Sequence, residues 1–474
     1  MESNKYLAGR ENTNKKMGIF ASMKTRLTTL FPHYTATLKL GFPIAVGQLG
    51  VIILGFIDTM MVGQYSTEAL AAASFVNNLF TLITFLMMGY SYGITPLVSA
   101  HCGRSELEEA GSILKNGMAS GGIFAAIVLS FMSLLYFFVD QMGQPEELLP
   151  LVRPYYLIIL LSMVFVMLFN VLRQFTDGTT DTASGMWCLL AGNAMNILGN
   201  WLLIGGVGPF PEWGLMGAGV ATLTARIMMF VLLAIIVIGR KKYAPYRRGF
   251  LNSKIERAKL LHINKHSFPI SIQMGLESGS FTFSAIMAGW IGAIELAAFQ
   301  ILVTIGTLGF LLYYSFGAGM SIRIATFVGM GDWLKVKLAA KAGSHIQVAL
   351  AVLSSTAIYI FALPLVEFFT PDSEVIALSL SLIGLLLLYQ FGDAMQICYA
   401  NAVRGTSHVK SMMKIAFISY LLIGIPIGYI LGFPLGWGIH GIFFAFSVGL
   451  LSAAIQFYIQ FRRIVNSESI EQEI

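Results

Sequence analysis

The sequence predicts an all-α integral membrane protein of twelve transmembrane helices, arranged as two pseudo-symmetric six-helix bundles. Three observations carry that prediction. Hydrophobic residues make up 56% of the 474-residue chain and charged ones only 11%, where a soluble domain carries roughly 25% charge; the mean hydropathy is +0.74. Apolar stretches of about 20 residues, each enough for one crossing, recur along the whole length. The two halves of the chain repeat one another in short motifs.

Residues 1–36 come first, as a basic, polar arm. It has no short apolar core followed by a small-residue cleavage site, so it reads as a cytoplasmic arm ending in a surface-skimming helix rather than a secretory signal. Apolar windows and their breakers then place spans at 37–62, 70–100, 113–138, 150–175, 183–206 and 215–239. These form an N-terminal lobe, 37–240. A basic linker, 241–261, follows as a solvated connector or a lipid-headgroup contact. The C-terminal lobe, 262–464, holds spans at 262–288, 295–325, 341–369, 376–403, 410–432 and 438–464, and 465–474 form a cytoplasmic tail. The 48 glycines and 24 methionines suit helices that pack closely and walls that adapt to varied ligands. Cys102, Cys188 and Cys398 cannot build a disulfide framework and read as small packing residues.

Charge placement tests the span count. With the N-terminus inside, 28 of the 30 Lys and Arg fall on the cytoplasmic side, as the positive-inside rule requires. The exceptions are Arg153, outside, and Arg226, within the sixth span. Acids such as Glu68, Asp140, Glu146, Asp372 and Glu374 occupy the outer loops. An odd number of spans would scramble this pattern. The net charge of +6 thus reflects topology and not nucleic-acid binding.

FPIAVGQLG at Phe42 matches FPISIQMGL at Phe268, AHCGRSE at Ala100 lines up with FVGMGDW at Phe327, and WGLMGAGVAT at Trp213 matches WGIHGIFFAF at Trp437. The offsets are about 224 to 228 residues. Six spans repeated in one orientation give bundles related by an axis along the membrane normal, the plan transporters use to rock two halves about a central site.

Three acids lie within apolar segments: Asp58 in LGFIDTMMVG, Glu277 in IQMGLESGSF and Asp393 in LLYQFGDAMQ. A charge at bilayer depth costs about 2.5–3.5 kcal/mol on insertion scales, so such groups face cavities and work there. Glu277 and Asp393, with Tyr389 four residues before Asp393 and with Gln300 in span eight, suit a Na+ or H+ site, because two nearby carboxylates cannot both stay ionised without a cation. Two acids each paired with a separate donor is the structural alternative. Asp58 has Asn196 and Asn200 available from span five, at i, i+4 spacing. Those amides serve either as ion and proton partners of Asp58 or as interhelical hydrogen-bond glue. Arg226 has no partner in the sequence and is assigned a structural role. Asp177 and Asp181, in RQFTDGTTDT, read as a helix stop.

No GxxxxGK[ST] loop, HExxH or zinc-spaced Cys/His cluster is present. Neither an enzyme nor a P-loop ATP motor is indicated, no cofactor is expected, and energy should come from an ion gradient.

FPIAVGQ and GFIDTMMVGQ in span one, QFTDGT after span four, FPISIQMGLES in span seven and YQFGDAMQICYANAVRGTSHV in span ten together resemble the multidrug and toxic compound extrusion (MATE) transporters, along nearly the whole chain after the arm. Within that family the chain is similar to the NorM branch. The resemblance implies a cation site at Glu277, Asp393, Tyr389 and Gln300, a first-lobe acid at Asp58, and paired polar positions at Asn196 and Asn200. It further implies a monomeric carrier in the bacterial inner membrane that exports cationic, amphipathic drugs and dyes by Na+ or H+ antiport. A lipid-linked oligosaccharide flippase of the same superfold is the alternative, and a polytopic membrane enzyme a remote one. Three intramembrane acids against one arginine favour cationic cargo. Two acids with further oxygens nearby favour Na+ over H+.

Overall fold

The computed structural model describes the backbone of residues 2–471 and the side chains of residues 29–470. Everything regular among the described residues is helical. The side chains of most of the N-terminal arm, and residues 472–474 of the tail, lie outside the described residues.

Twelve membrane-length segments follow in order. They are α1 (Thr29–Tyr65), α2 (Thr67–Gly103), α3 (Leu107–Tyr136), α4 (Glu146–Gly178), α5 (Thr182–Ile204) and α6 (Gly214–Gly239) in the first half. In the second half they are α7 (Arg257–Ile291), α8 (Ala293–Gly329), α9 (Trp333–Ile360), α10 (Ser373–Gly405), α11 (Lys410–Gly432) and α12 (Gly438–Glu471). Ten of these are long and apolar enough to cross a membrane unaided. The eleventh, α10, is bent by 52° between Ser381 and Ile383. The twelfth, α7, misses the apolarity test because Lys265, His266, Gln273 and Glu277 lie along it.

Several boundaries differ from expectation: α1 is helical from Thr29 and not 37, α7 begins at Arg257, inside the expected 241–261 linker, and α12 runs to Glu471 and not 464. The ninth helix starts eight residues before position 341, because the Asp332 side chain accepts from the Lys335 N–H at 2.9 Å and caps it. It also breaks at Phe361, three residues before Pro364, and a short helix Ala362–Glu367 takes over. The tenth span is a broken helix where a continuous one was expected.

Each half builds its own apolar core, one centred on Met87, Tyr156 and Phe175, the other on Phe299, Phe443 and Phe457. The lobes meet through reciprocal contacts. A Cβ on Gly93 of α2 would stand 2.6 Å from the Ser267 Cα of α7. The counterpart contact sets Gly319 of α8 against Gly41 of α1, at 2.9 Å from its N. Gly319 and Ser267 each lie 226 residues after Gly93 and Gly41, so the repeat read in the sequence is a repeat in space. Only glycine lets the backbones approach this closely.

These contacts sit toward the end of the bundle that holds the 240–257 linker. There Tyr90 donates to Asn264 at 2.6 Å and Arg323 donates to the His33 carbonyl at 2.6 Å, both across the lobes. The linker helix Ala244–Asn252 is pinned to the N-terminal lobe, with Lys242 on Asp181 at 2.7 Å and Lys259 on Glu109 at 2.8 Å. Asp181 also caps α5 through Ser184, the structural role read for that turn. Further along, Val51, Ile53, Phe56 and Met60 of α1, Asn77 and Thr81 of α2, and Gln300 and Thr304 of α8 are exposed. A cleft opens at that end.

Candidate functional site

In the C-terminal lobe, α7, α8 and α10 enclose a cavity of about 290 Å³. Glu277, Tyr389, Gln273, Gln396 and Arg404 line it, with Phe281, Phe310 and Tyr314 as aromatic wall. Thr81 and Phe85 reach in from α2 of the other lobe.

Glu277 is held from two sides. Gln273, one turn earlier on α7, donates to its Oε2 at 2.6 Å, and Gln396 of α10 donates to the same oxygen at 3.3 Å. Asp393 is 0% exposed and lies behind the cavity wall, within electrostatic range of Glu277. Neither of its carboxylate oxygens has a hydrogen-bond partner among the described residues. The Gln273 Oε1 and Gln396 Oε1 are likewise buried and unpaired, and the buried Tyr420 hydroxyl comes up beside Glu277 from α11. Buried polar atoms are ordinarily satisfied. The unpaired oxygens of Asp393, Gln273 and Gln396 and the Tyr420 hydroxyl thus lie in the neighbourhood of the Glu277 carboxylate.

Tyr389 lines this cavity, stacked on Phe446 with ring centroids 5.4 Å apart. Gln300 does not: it is exposed on α8, outside the cavity lining, and its carbonyl accepts from the Thr304 hydroxyl one turn on. Gln273, Gln396 and Tyr420 stand where Gln300 was expected. Gln273 and Gln396 sit at i−4 from Glu277 and i+3 from Asp393, a helical spacing that the sequence did offer. Nothing in the sequence marks Tyr420.

In the N-terminal lobe a second cavity, of about 210 Å³, is lined by Asp58, Thr59, Ser74, Asn77, Tyr155, Thr222 and Arg226. Asn200 donates to Asp58 Oδ1 at 2.6 Å. The Asn196 amide, oriented to satisfy its neighbours, donates to Asp58 Oδ1 at 2.6 Å and accepts from the Thr222 hydroxyl at 3.0 Å. Asp58, Asn196 and Asn200 are thus brought together as expected, and Thr222 joins them.

Between the cavities, Asn77, Thr81 and Phe85 follow at i, i+4 and i+8 along one face of α2. Asn77 belongs to the N-terminal cavity, Thr81 and Phe85 to the C-terminal one. Two helical turns, about 11 Å, connect them.

The family profile of MatE matches residues 43–202 and again 269–430, once per lobe. The chain belongs to the MatE family. Members of this family are membrane transporters and not enzymes. Among curated MatE relatives, the multidrug resistance protein NorM of Photobacterium profundum is 27% identical over 434 residues, covering 90% of this chain and 94% of that one. NorM of Vibrio cholerae is 26% identical over 424 residues, covering 88% and 93%. Among solved MatE folds, a MATE protein in its straight conformation superposes with a TM-score of 0.84 at 18% identity, over 92% of this chain and 97% of that one. A eukaryotic MATE transporter, AtDTX14, gives 0.83 at 15% identity, over 93% and 98%. The architecture is therefore the twelve-helix MatE fold, with the NorM proteins as sequence relatives.

On this MatE frame one residue joins the cation cavity to the seam between the lobes. Arg404 lines the C-terminal cavity and also the small space where the lobes close. Its guanidinium stands 5.1 Å over the ring of Tyr92 in the other lobe, and Tyr92 meets Tyr314 at 5.3 Å between centroids.

Proposed function

We propose that this protein is a multidrug efflux transporter of the bacterial inner membrane, exporting amphipathic organic cations by antiport with Na+. The observation that carries the reading is the donor set around Glu277 and Asp393: two carboxylates plus the buried oxygens of Gln273, Gln396 and Tyr420. A proton needs one carboxylate. Hard cations such as Na+ are coordinated by several oxygens, and this site offers them.

The cargo reading is supported by the aromatic wall of Phe281, Phe310, Tyr314 and Tyr389 beside a carboxylate, which suits a flat cation through stacking and cation–π attraction. The names of the NorM relatives point the same way. With both termini cytoplasmic by the positive-inside rule, the open end of the cleft faces outward. Na+ then enters from outside, binds at Glu277 and Asp393 and favours cargo release. Protonation of Asp58 supplies a second coupling branch in the other lobe. An ion drives transport only through unequal affinity for the two states. Arg404 is placed to carry that inequality from the cavity to the seam.

The test is dye efflux from proteoliposomes under imposed Na+ and H+ gradients, applied separately. A Na+ gradient should drive efflux, and Glu277→Gln should abolish that response. Efflux that follows the H+ gradient alone, in wild type and in Glu277→Gln alike, would overturn the Na+ reading.

A further inference from the structure

A further cavity lies at the closed end of the molecule, away from both sites above. It is a wedge of about 530 Å³ beside the Gly41–Gly319 contact, larger than either of the other two. Lys39 and Pro43 of α1, with Asp181 and Ala183 at the start of α5, line it from the N-terminal lobe. Arg323 and Phe327 of α8 line it from the C-terminal lobe. The wedge therefore spans the seam, on the side where the basic residues of the chain gather.

Its charge balance is positive. Asp181 is the one acid among the described residues that line it, and that carboxylate is already committed. Lys242 stands at 2.7 Å from it, and the hydroxyls of Tyr243 and Ser184 each donate to it at 2.7 Å. Lys39 is exposed, with no carboxylate within salt-bridge distance among the described residues. Arg323 is half-buried. Its two Nη groups go to the His33 carbonyl and ring, at 2.6 and 3.1 Å, which leaves its Nε–H without a hydrogen bond among the described residues. A lysine from one lobe and an arginine from the other thus face one wedge with their charges unmatched.

Deeper in the bilayer the surroundings turn apolar. Phe42, beside Pro43 on α1, and Trp187, one turn past Ala183 on α5, are both exposed. Basic pockets between helices at the cytoplasmic face suit anionic lipid headgroups. We infer that this wedge holds an anionic phospholipid of the cytoplasmic leaflet, with its phosphate between Lys39 and Arg323 and its acyl chains along Phe42 and Trp187. A headgroup so placed touches both lobes and ties them at the end that is closed. Phosphate is the chemistry recognised, and a soluble phosphate is the competing occupant. The inference stands apart from the efflux reading, since it concerns only what the seam binds.

The experiment uses the detergent-solubilised full chain and a phosphatidylglycerol labelled on one acyl chain, with binding followed by fluorescence anisotropy. Unlabelled phosphatidylglycerol should displace the probe, whereas phosphatidylcholine with the same chains, and sodium phosphate, should not. Lys39→Gln and Arg323→Gln should each weaken probe binding about fivefold, the worth of one basic residue beside an anionic headgroup. Lys265→Gln is the control. Lys265 stands 226 residues after Lys39, at the matching place in the other half, and is likewise exposed; its loss should leave the affinity unchanged. Displacement by phosphatidylcholine as readily as by phosphatidylglycerol overturns the site without any variant, so the test survives a variant that fails to fold. Displacement by sodium phosphate alone overturns the lipid as occupant. An equal loss in Lys265→Gln reduces the binding to general surface attraction, and full binding by either Lys39→Gln or Arg323→Gln removes the two-lobe site.

Discussion

A carboxylate with neither oxygen hydrogen-bonded is the costliest kind of buried group, and Asp393 is one. Burying an ionised carboxylate is tolerable only with a counter-charge, so in the absence of a cation it holds a proton. A bound ion should therefore stabilise the protein, by about 2.7 kcal/mol at a hundred times its Kd. Thermal melting in detergent should rise with NaCl relative to matched KCl. Asp393→Asn should melt no lower than wild type in KCl, because the acid has no partner to lose, and it should show no NaCl increment. An increment that persists in Asp393→Asn would remove Asp393 from the ion site. At this scale much was legible. The depth of Asp58, Glu277 and Asp393 follows from apolar flanks alone, and the i, i+4 spacing of Asn196 and Asn200 put two amides on one face. Gln300 was misplaced because composition finds a helix but does not phase it. Its side of α8 is set by how the whole helix turns in the lobe, which no local spacing encodes. Arg226 had no visible partner because Asp58 is distant in the chain and shares only a cavity with it.

Two of the departures from regular helix lie beside the C-terminal site. α10 bends by 52° near Leu382, about two turns before Tyr389 and three before Asp393. α11 contains a π-helical stretch, Phe417–Gly424, of the kind often found at functional sites. The wider turn carries Tyr420, which is why its hydroxyl reaches Glu277 while its neighbours Ile418 and Leu422 stay exposed. The sequence gives no signal for either feature, since FISYLLIG reads as ordinary apolar helix. The functional consequence is specific. Tyr420→Phe keeps the ring and removes one oxygen from the donor set. Na+ affinity, read as the NaCl midpoint for displacing dye, should weaken about tenfold, while dye affinity in KCl should hold. An unchanged midpoint would mean that Tyr420 only packs.

Across the whole molecule the lobes are closed at the linker end and splayed at the other, and antiport requires the reverse state as well. Hydrogen bonds cross the closed seam, among them Tyr90 to Asn264, Arg323 to the His33 carbonyl and Ser271 to the Leu86 carbonyl. The glycine contacts also make that closure tight. Small backbone-to-backbone contacts of this kind separate as rigid faces, without unfolding either core. The pair Gly89 and Met274 tests whether they must. A Cβ on Gly89 would stand 3.2 Å from the Met274 Cβ and 2.8 Å from the Ser271 Cα, so α2 and α7 must move apart by a few tenths of an ångström, which also brings the pair into the roughly 3.5–4.5 Å range of a disulfide. Gly89→Cys with Met274→Cys, in a background lacking Cys102, Cys188 and Cys398, should cross-link on oxidation and join the lobes at the seam. Dye efflux from proteoliposomes should then stop and return on reduction, while dye binding in detergent persists, because the cleft stays open at its far end. Full efflux by the cross-linked protein would show that the seam never parts, and the rocking of two lobes about a central site would have to be given up.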